Sequence, residues 1–182
     1  MNVLVLVGSL RTDSLNRRLA LAALEHLPAG VTGEVFEGLA DLPHYSTELD
    51  VDPLPRVAAD LRRAVATADA LLVVTPEYNG SLPSALKNAI DWASRPRGGA
   101  AIAGVPTAVL AASGSPRGAQ WAREDAARIL RVAGAEVLDD TVGVGSAVTT
   151  LARGRVDDGA LDAAVRALVH RLAAEGGATS AA

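Results

Sequence analysis

Ala70-Leu71-Leu72-Val73-Val74-Thr75-Pro76-Glu77-Tyr78-Asn79-Gly80-Ser81-Leu82-Pro83-Ser84-Ala85-Leu86-Lys87-Asn88-Ala89-Ile90-Asp91-Trp92 is the stretch on which the fold turns. Its first five residues are a short apolar run, rich in branched side chains and stopped by Thr75-Pro76, the pattern of a strand buried on both faces. Helix resumes near Pro83, because proline suits the first helical turn, where the N–H it lacks has no intrahelical use. From there Leu86, Ala89, Ile90 and Ala93 recur at helical spacing. A polar loop between a buried strand and a helix lies where ligands bind in open α/β sheets. Between Glu77 and Ser81 this loop collects a carboxylate, an aromatic, an amide, a glycine and a hydroxyl, in a chain with two Trp, two Tyr and one Phe. A plainer reading is a turn in which Asn79-Gly80 serves backbone geometry and Ser81 caps the helix.

The same pattern opens the chain. Residues 2–7 (Asn-Val-Leu-Val-Leu-Val) form an apolar run, the loop 8–16 is polar, and helical periodicity runs over 15–27. The unpaired N–H groups and positive dipole end of such a helix favour an anion. Ser9, Thr12, Ser14 and Asn16 offer neutral donors and Arg11 a charged one. Ser14 or Asp13 could equally serve only as the helix cap. No lysine stands where a P-loop needs one, and the loop has a single glycine where a dinucleotide fingerprint needs three. The site is therefore suited to a monophosphate held by side-chain hydroxyls.

Further strands are expected at 32–36, 105–112 and across 136–144, with helices over 54–68, 120–133 (stopped by Gly134) and 158–173. Residues 113–118 (Ser-Gly-Ser-Pro-Arg-Gly) give a third polar strand-end loop, and 37–55, containing His44-Tyr45-Ser46-Thr47, reads as a long irregular connection. Residues 1–174 read as one domain and 175–182, small and polar, as a disordered tail. Five strands alternating with five helices predict a three-layer α/β fold, a five-stranded parallel sheet with helices on both faces. A flavodoxin-like order 2-1-3-4-5 would gather the loops 8–16, 75–83 and 113–118 at one sheet edge.

Composition narrows the function. The net charge is −4 and no basic run occurs, which argues against nucleic acid and anionic membrane surfaces as partners. The absence of cysteine excludes disulfides and thiol chemistry and fits a reducing compartment, hence the cytoplasm. No apolar run approaches the roughly 20 residues that span a bilayer. His26, His44 and His170 are scattered, and no catalytic triad is visible. A phosphoacceptor domain on this fold would need acidic residues where Gly8-Ser9 and Thr75 stand, so that reading fails.

Gly8-Ser9-x-Arg11-x-x-Ser14-x-Asn16 together with Pro76-Glu77-Tyr78-Asn79-Gly80-Ser81-x-Pro83-x-x-Leu86-Lys87-Asn88-Ala89-Ile90-Asp91-Trp92 resembles the NADPH-dependent FMN reductase family, which includes azoreductases, chromate reductases and quinone reductases. The resemblance runs from about residue 2 to 174. It implies a flavodoxin-like fold, a homodimer or homotetramer, and FMN bound near a subunit interface. It implies that Ser9, Arg11, Ser14, Leu15 and Asn16 hold the FMN phosphate end. Pro76, Glu77, Tyr78, Asn79 and Gly80 would border the isoalloxazine, largely through backbone groups, and Ser113 and Gly114 would close the other side. Asp91 and Trp92 lie on the helix that typically meets a neighbouring subunit, although Trp92 suits simple core packing equally well. Two departures stand out: Gly118-Ala119 replaces a frequent Gly-Gly pair, and Ser84 replaces a glycine common after the family's proline. The implied reaction is a two-step, ping-pong transfer from NADPH or NADH to FMN and on to a quinone, azo compound, metal oxyanion or free flavin. The cofactor carries that chemistry, so no protein acid or base is required. Tyr45 and Arg117 are candidates for contacting substrate or the nicotinamide nucleotide. The alternative is an FMN electron carrier without nicotinamide activity; Arg11 and the scarcity of aromatics weigh against it.

Overall fold

The computed structural model describes residues 1–180. Each apolar run forms a strand: β1 Asn2–Val7, β2 Thr32–Val35, β3 Ala70–Thr75, β4 Pro106–Ala112 and β5 Glu136–Val144. All neighbours pair in parallel, in the order β2-β1-β3-β4-β5, so the expected flavodoxin-like topology is the one observed. β5 is one strand, with a register irregularity opposite the step from Thr107 to Val109.

Helices α1 Leu15–Leu24 and α6 Gly159–Ser180 cover one face; α2 Arg56–Thr67, α3 Ser84–Ala93 and α4 Gln120–Ala133 cover the other, and α5 Ala147–Thr150 is a single turn after β5. Successive side chains of a strand point to opposite faces, and the sequence obeys this. Val3, Val5, Val7, Leu72, Val74 and Leu110 pack with Leu19 of α1 and Val165, Leu168 and Leu172 of α6. Leu4, Leu6, Leu71, Val73 and Val109 pack with Leu61 of α2, Leu86 and Ile90 of α3 and Leu130 of α4. Two cores, one on each face, explain why the strands read as continuous apolar runs without alternation.

One expectation is corrected at the carboxyl end. Helix α6 begins where Asp158 accepts from the amides of Ala160 (2.9 Å) and Leu161 (3.0 Å), but it continues through Ser180. The segment 175–180, expected to be disordered, is helical; residues 181–182 lie outside the described residues. Gly176 lies within these last turns. It is buried, and a Cβ there would sit 2.9 Å from the Asp69 carbonyl oxygen and against Met1. Lacking one, the last turns of α6 pack on the start of the sheet.

The connection 42–55 folds onto α3 as a strap. Asn88 accepts from the Tyr45 amide (2.8 Å) and donates to the Pro43 carbonyl (2.9 Å), which also accepts from Trp92 Nε1 (2.8 Å). Tyr45 meets Trp92 edge-on at 5.1 Å, and its hydroxyl donates to Asp50, itself paired with Arg62 at 2.7 Å. Trp92 is fully buried, so core packing rather than exposed contact describes it.

Candidate functional site

The polar loops leave β1, β3 and β4 at matched levels, because Val7 is in register with Val74, Thr75 with Ala111 and Ala112 with Val144. Gly8 continues the first loop with its amide on the Val74 carbonyl at 2.8 Å. A Cβ on Gly8 would lie 2.9 Å from Pro83 Cγ and 3.2 Å from Leu86, so glycine is what lets the loop pass the start of α3.

Within this first loop the expected phosphate residues divide. Ser9, Arg11 and Thr12 stand at the surface or half-buried, and their side chains make no hydrogen bond or ion pair among the described residues. Ser14 is 1% exposed and caps α1, accepting from the Arg17 amide at 2.9 Å. Asn16 is 3% exposed; its Nδ2 donates to the Ala112 carbonyl (3.0 Å) and its Oδ1 accepts from the Ala112 amide (2.8 Å). That side chain stands in for a strand. β3 ends opposite Ala111, and Pro76, next in line, has no N–H to offer β4. Ser14 and Asn16 thus brace the loop as cap and strand mimic, and beyond these bonds each keeps a hydrogen to donate, the Ser14 O–H and the second Nδ2 hydrogen of Asn16. Leu15 packs its side chain into the core beside α6, leaving only its amide on the loop side. Uncommitted among the described residues are the side chains of Ser9, Arg11 and Thr12, which stand ahead of the first-turn amides of α1. Flanking ion pairs, Arg18 with Asp13 and a two-pronged Arg17–Glu37 pair (2.9 and 2.6 Å), keep the neighbouring cations engaged. The Arg17 contact holds the Glu37 carboxyl below its usual range.

The second loop is a tight hairpin. Tyr78 and Ser81 exchange backbone hydrogen bonds (3.0 and 3.1 Å), with Asn79 at φ +52° and Gly80 at φ +75°. Positive φ at both central residues is the requirement that Asn-Gly meets. Pro83 is the residue before α3, with no side-chain cap, and Ser81 does not cap that helix; its hydroxyl donates to Asp125 of α4. Glu77 reaches the same helix, accepting from the Ala122 amide at 3.2 Å, a carboxylate at a helix N-terminus. The turn is thus tied to α4 at two points, while Tyr78 is 54% exposed.

The third loop is held by Ser113, whose Oγ accepts from the Ala119 amide at 3.2 Å and donates to the Ser115 carbonyl at 3.0 Å. Gly114 is exposed and has nothing near its Cβ position. Gly118, at φ +57°, lies against Gly143, where a Cβ would meet the carbonyl carbon at 2.7 Å. Ala119 adopts φ +54°, a conformation the more usual glycine would take without strain. Arg123 crosses beneath, donating to the Gly118 carbonyl (2.9 Å) and Thr141 Oγ1 (2.7 Å); its burial pulls its pKa down.

Of the two substrate candidates, Tyr45 belongs to the strap on Trp92 and is not brought to these loops. Arg117 is: it projects from the third loop over Trp121, guanidinium to ring centroid 5.6 Å. Trp121 is the residue that sequence reasoning missed. It is 54% exposed, and its ring lies 3.4 Å from the Cβ position of Gly80. The available signal was a tryptophan standing off the apolar stripe of α4 formed by Ala122, Ala126 and Leu130.

Comparison with known proteins bears on this arrangement. A 2-hydroxy-1,4-benzoquinone reductase of a Burkholderia species is 45% identical over 113 residues, 62% of this chain and 61% of that protein. A quinone reductase of Pseudomonas putida is 44% identical over 112 residues, 62% of this chain and 60% of that protein. The chain thus matches about three fifths of the length of these relatives. Among solved structures, the flavoenzyme NAD(P)H:(acceptor) oxidoreductase FerB from Paracoccus denitrificans is 33% identical with a TM-score of 0.84, covering 96% of this chain and 98% of its own. The family model for NADPH-dependent FMN reductase matches residues 1–149, which take in all three strand-end loops. By that match this chain belongs to the NADPH-dependent FMN reductase family.

Proposed function

We propose that the protein is an FMN-dependent NAD(P)H oxidoreductase that passes reducing equivalents from a nicotinamide donor to a small acceptor in two successive half-reactions, the acceptor class being quinones, azo compounds, metal oxyanions or free flavin. The observation that carries this reading is the first loop: an arginine and two hydroxyl groups with no hydrogen-bond or ion-pair partner among the described residues, set before a helix N-terminus and braced by Ser14 and Asn16. FMN held there would supply the redox chemistry, taking hydride from the nicotinamide and passing electrons to the acceptor. The protein's part is to bind and orient. Arg11, Ser9, Thr12 and the amides of Leu15 and Asn16 hold the phosphate. The 76–80 hairpin, with its two positive-φ residues, presents backbone groups to the ring, and Ser113-Gly114 bounds the other side.

We assign the second half of the reading to a homo-oligomer. Between α3, the 94–103 connection and α4 lies a groove of about 800 Å³, floored by Ile90, Ala103 and Ile129 and edged by Asp91 and Val132. Val132 is 81% exposed, which suits an apolar side chain covered by a second copy. Sedimentation or light scattering decides this part: a monomer at micromolar concentration refutes it. Among the described residues no helix is long and apolar enough to cross a membrane, and we place the protein in the cytoplasm.

The test of the reaction is anaerobic stopped-flow absorbance near the oxidised-flavin band after reconstitution with FMN. Rapid bleaching by NADPH or NADH supports the reductase and identifies the donor. Flavin that stays oxidised with both donors indicates an electron carrier instead, and failure to retain FMN removes the site assignment.

A further inference from the structure

Two of the chain's five aromatic residues, Tyr78 and Trp121, are more than half exposed, and both stand at the strand-end loops; the other three are half-buried or buried. An exposed indole forgoes the burial that normally makes tryptophan worth having. Trp121 is nonetheless fixed. Its ring lies over the Gly80 turn, and the turn is tied to α4 through Ser81–Asp125 and Glu77–Ala122. Arg117 has no ion pair or hydrogen bond among the described residues, and its contact is with the Trp121 ring. Most arginines of the chain are paired with a carboxylate; Arg11, Arg97, Arg117 and Arg153 make no ion pair or hydrogen bond among the described residues, and of these four Arg11 and Arg117 stand in the loops that follow β1 and β4.

We propose that Arg117 and Trp121 form the acceptor-binding platform, and that it selects planar aromatic acceptors carrying a negative charge next to the ring. The proposal rests on the reductase reading above. A guanidinium held over an indole sets a charge-assisted donor next to a stacking surface. The electrostatics set which side is used. Beyond Trp121, away from Arg117, is a hollow of about 430 Å³ lined by Gly80, Glu124, Asp125 and Arg128. There Arg128 is spent on Asp125, and Glu124 accepts from Gln120 (2.9 Å), so the hollow presents carboxylates and repels an anion. The Arg117 side bears a cation with no carboxylate partner among the described residues. Arg11 is reserved for the FMN phosphate, which leaves Arg117 for the second anionic group.

The experiment uses FMN-loaded protein reduced with dithionite and mixed anaerobically with 1,4-naphthoquinone-2-sulfonate or the uncharged 2-methyl-1,4-naphthoquinone. In Arg117→Gln the ratio of second-order reoxidation rates, sulfonate over neutral, falls about tenfold, the scale of one charge-assisted contact. In Trp121→Leu the rates with both acceptors fall. A second readout needs no flavin: the sulfonate quenches the exposed-tryptophan emission of the apo protein saturably, and Trp121→Leu abolishes the saturable part. An unchanged ratio in Arg117→Gln overturns the proposal. So does an effect confined to reduction by NADPH or NADH, which would give the arginine to the nucleotide. Failure to bind FMN refutes the reductase reading by itself, while the quenching titration still decides the platform: non-saturable quenching, or quenching unaltered in Trp121→Leu, refutes it.

Discussion

Replacing Asn16 by alanine separates the two roles its position suggests. If the amide is a brace, Asn16→Ala strips the Ala112 N–H and C=O of their partners in a site where Asn16 is 3% exposed. A buried polar group left unsatisfied costs about 1–3 kcal/mol. Two of them on one residue, partly relieved by water entering the space, give a loss of about 2–5 kcal/mol. For a chain of this length 1 kcal/mol moves Tm by about 2–4 °C, so the apo protein should melt about 5–15 °C lower. The assay is urea denaturation of apo wild type and Asn16→Ala by circular dichroism, with an FMN titration of each. The brace predicts a large fall in midpoint without FMN present, with weakened FMN binding following from the disordered loop. A ligand role predicts the reverse, weakened FMN binding on an unaltered apo stability. An apo loss under 1 kcal/mol would refute the reasoning.

Arg11→Ala, in contrast, removes a side chain with no partner among the described residues, so apo stability holds within about 0.5 kcal/mol while FMN affinity falls about 10- to 100-fold, read by flavin fluorescence titration. Gly118→Ala combines a left-handed φ of +57° with overlap on Gly143 and should cost about 2–5 kcal/mol, whereas Gly30→Ala, at φ +83° with open space around it, costs only about 1 kcal/mol; equal melting shifts would contradict the packing account. Asp125 is held below its ordinary carboxyl pKa by the Ser81 hydroxyl and then by Arg128. A depressed folded pKa contributes stability above the unfolded value, near 3.8, that is lost as pH falls through the folded value. Asp125→Asn should therefore flatten the fall of Tm below about pH 4, and an unchanged acid limb would count against the Ser81–Asp125 tie.

What was legible in the sequence follows from range. Strands β1, β3 and β4 are buried on both faces, so their apolar runs alone mark them, and alternation with helices marks the sheet as parallel, while its order was expected from the flavodoxin-like pattern. The Asn79-Gly80 hairpin was legible because its chemistry is local, a positive φ at each of two neighbours. Where the partner is distant the sequence was silent. Asn16 and Ala112 are 96 positions apart, Tyr45 and Asn88 are 43 apart, and no spacing rule connects either pair. The extension of α6 through Gly176 was illegible for the same reason, since Asp69 and Met1 turn a helix breaker into a point of close approach.

The phosphate loop shows why residue type alone could not assign roles. Serine and asparagine are favoured both as anion donors and as helix caps or backbone mimics, because each purpose uses the same short polar side chain. At the start of α1 the two purposes coexist, since a hydroxyl that accepts from an amide still carries a proton to donate. Ser14 precedes the helix by one residue, so its hydroxyl points back at the Arg17 amide, and Asn16 lies in the first turn on the side that faces β4. Ser9, Arg11 and Thr12 come before that point, in backbone that runs across the strand ends with no strand or helix to satisfy. Their side chains stay uncommitted among the described residues, on a loop that Ser14 and Asn16 brace from behind.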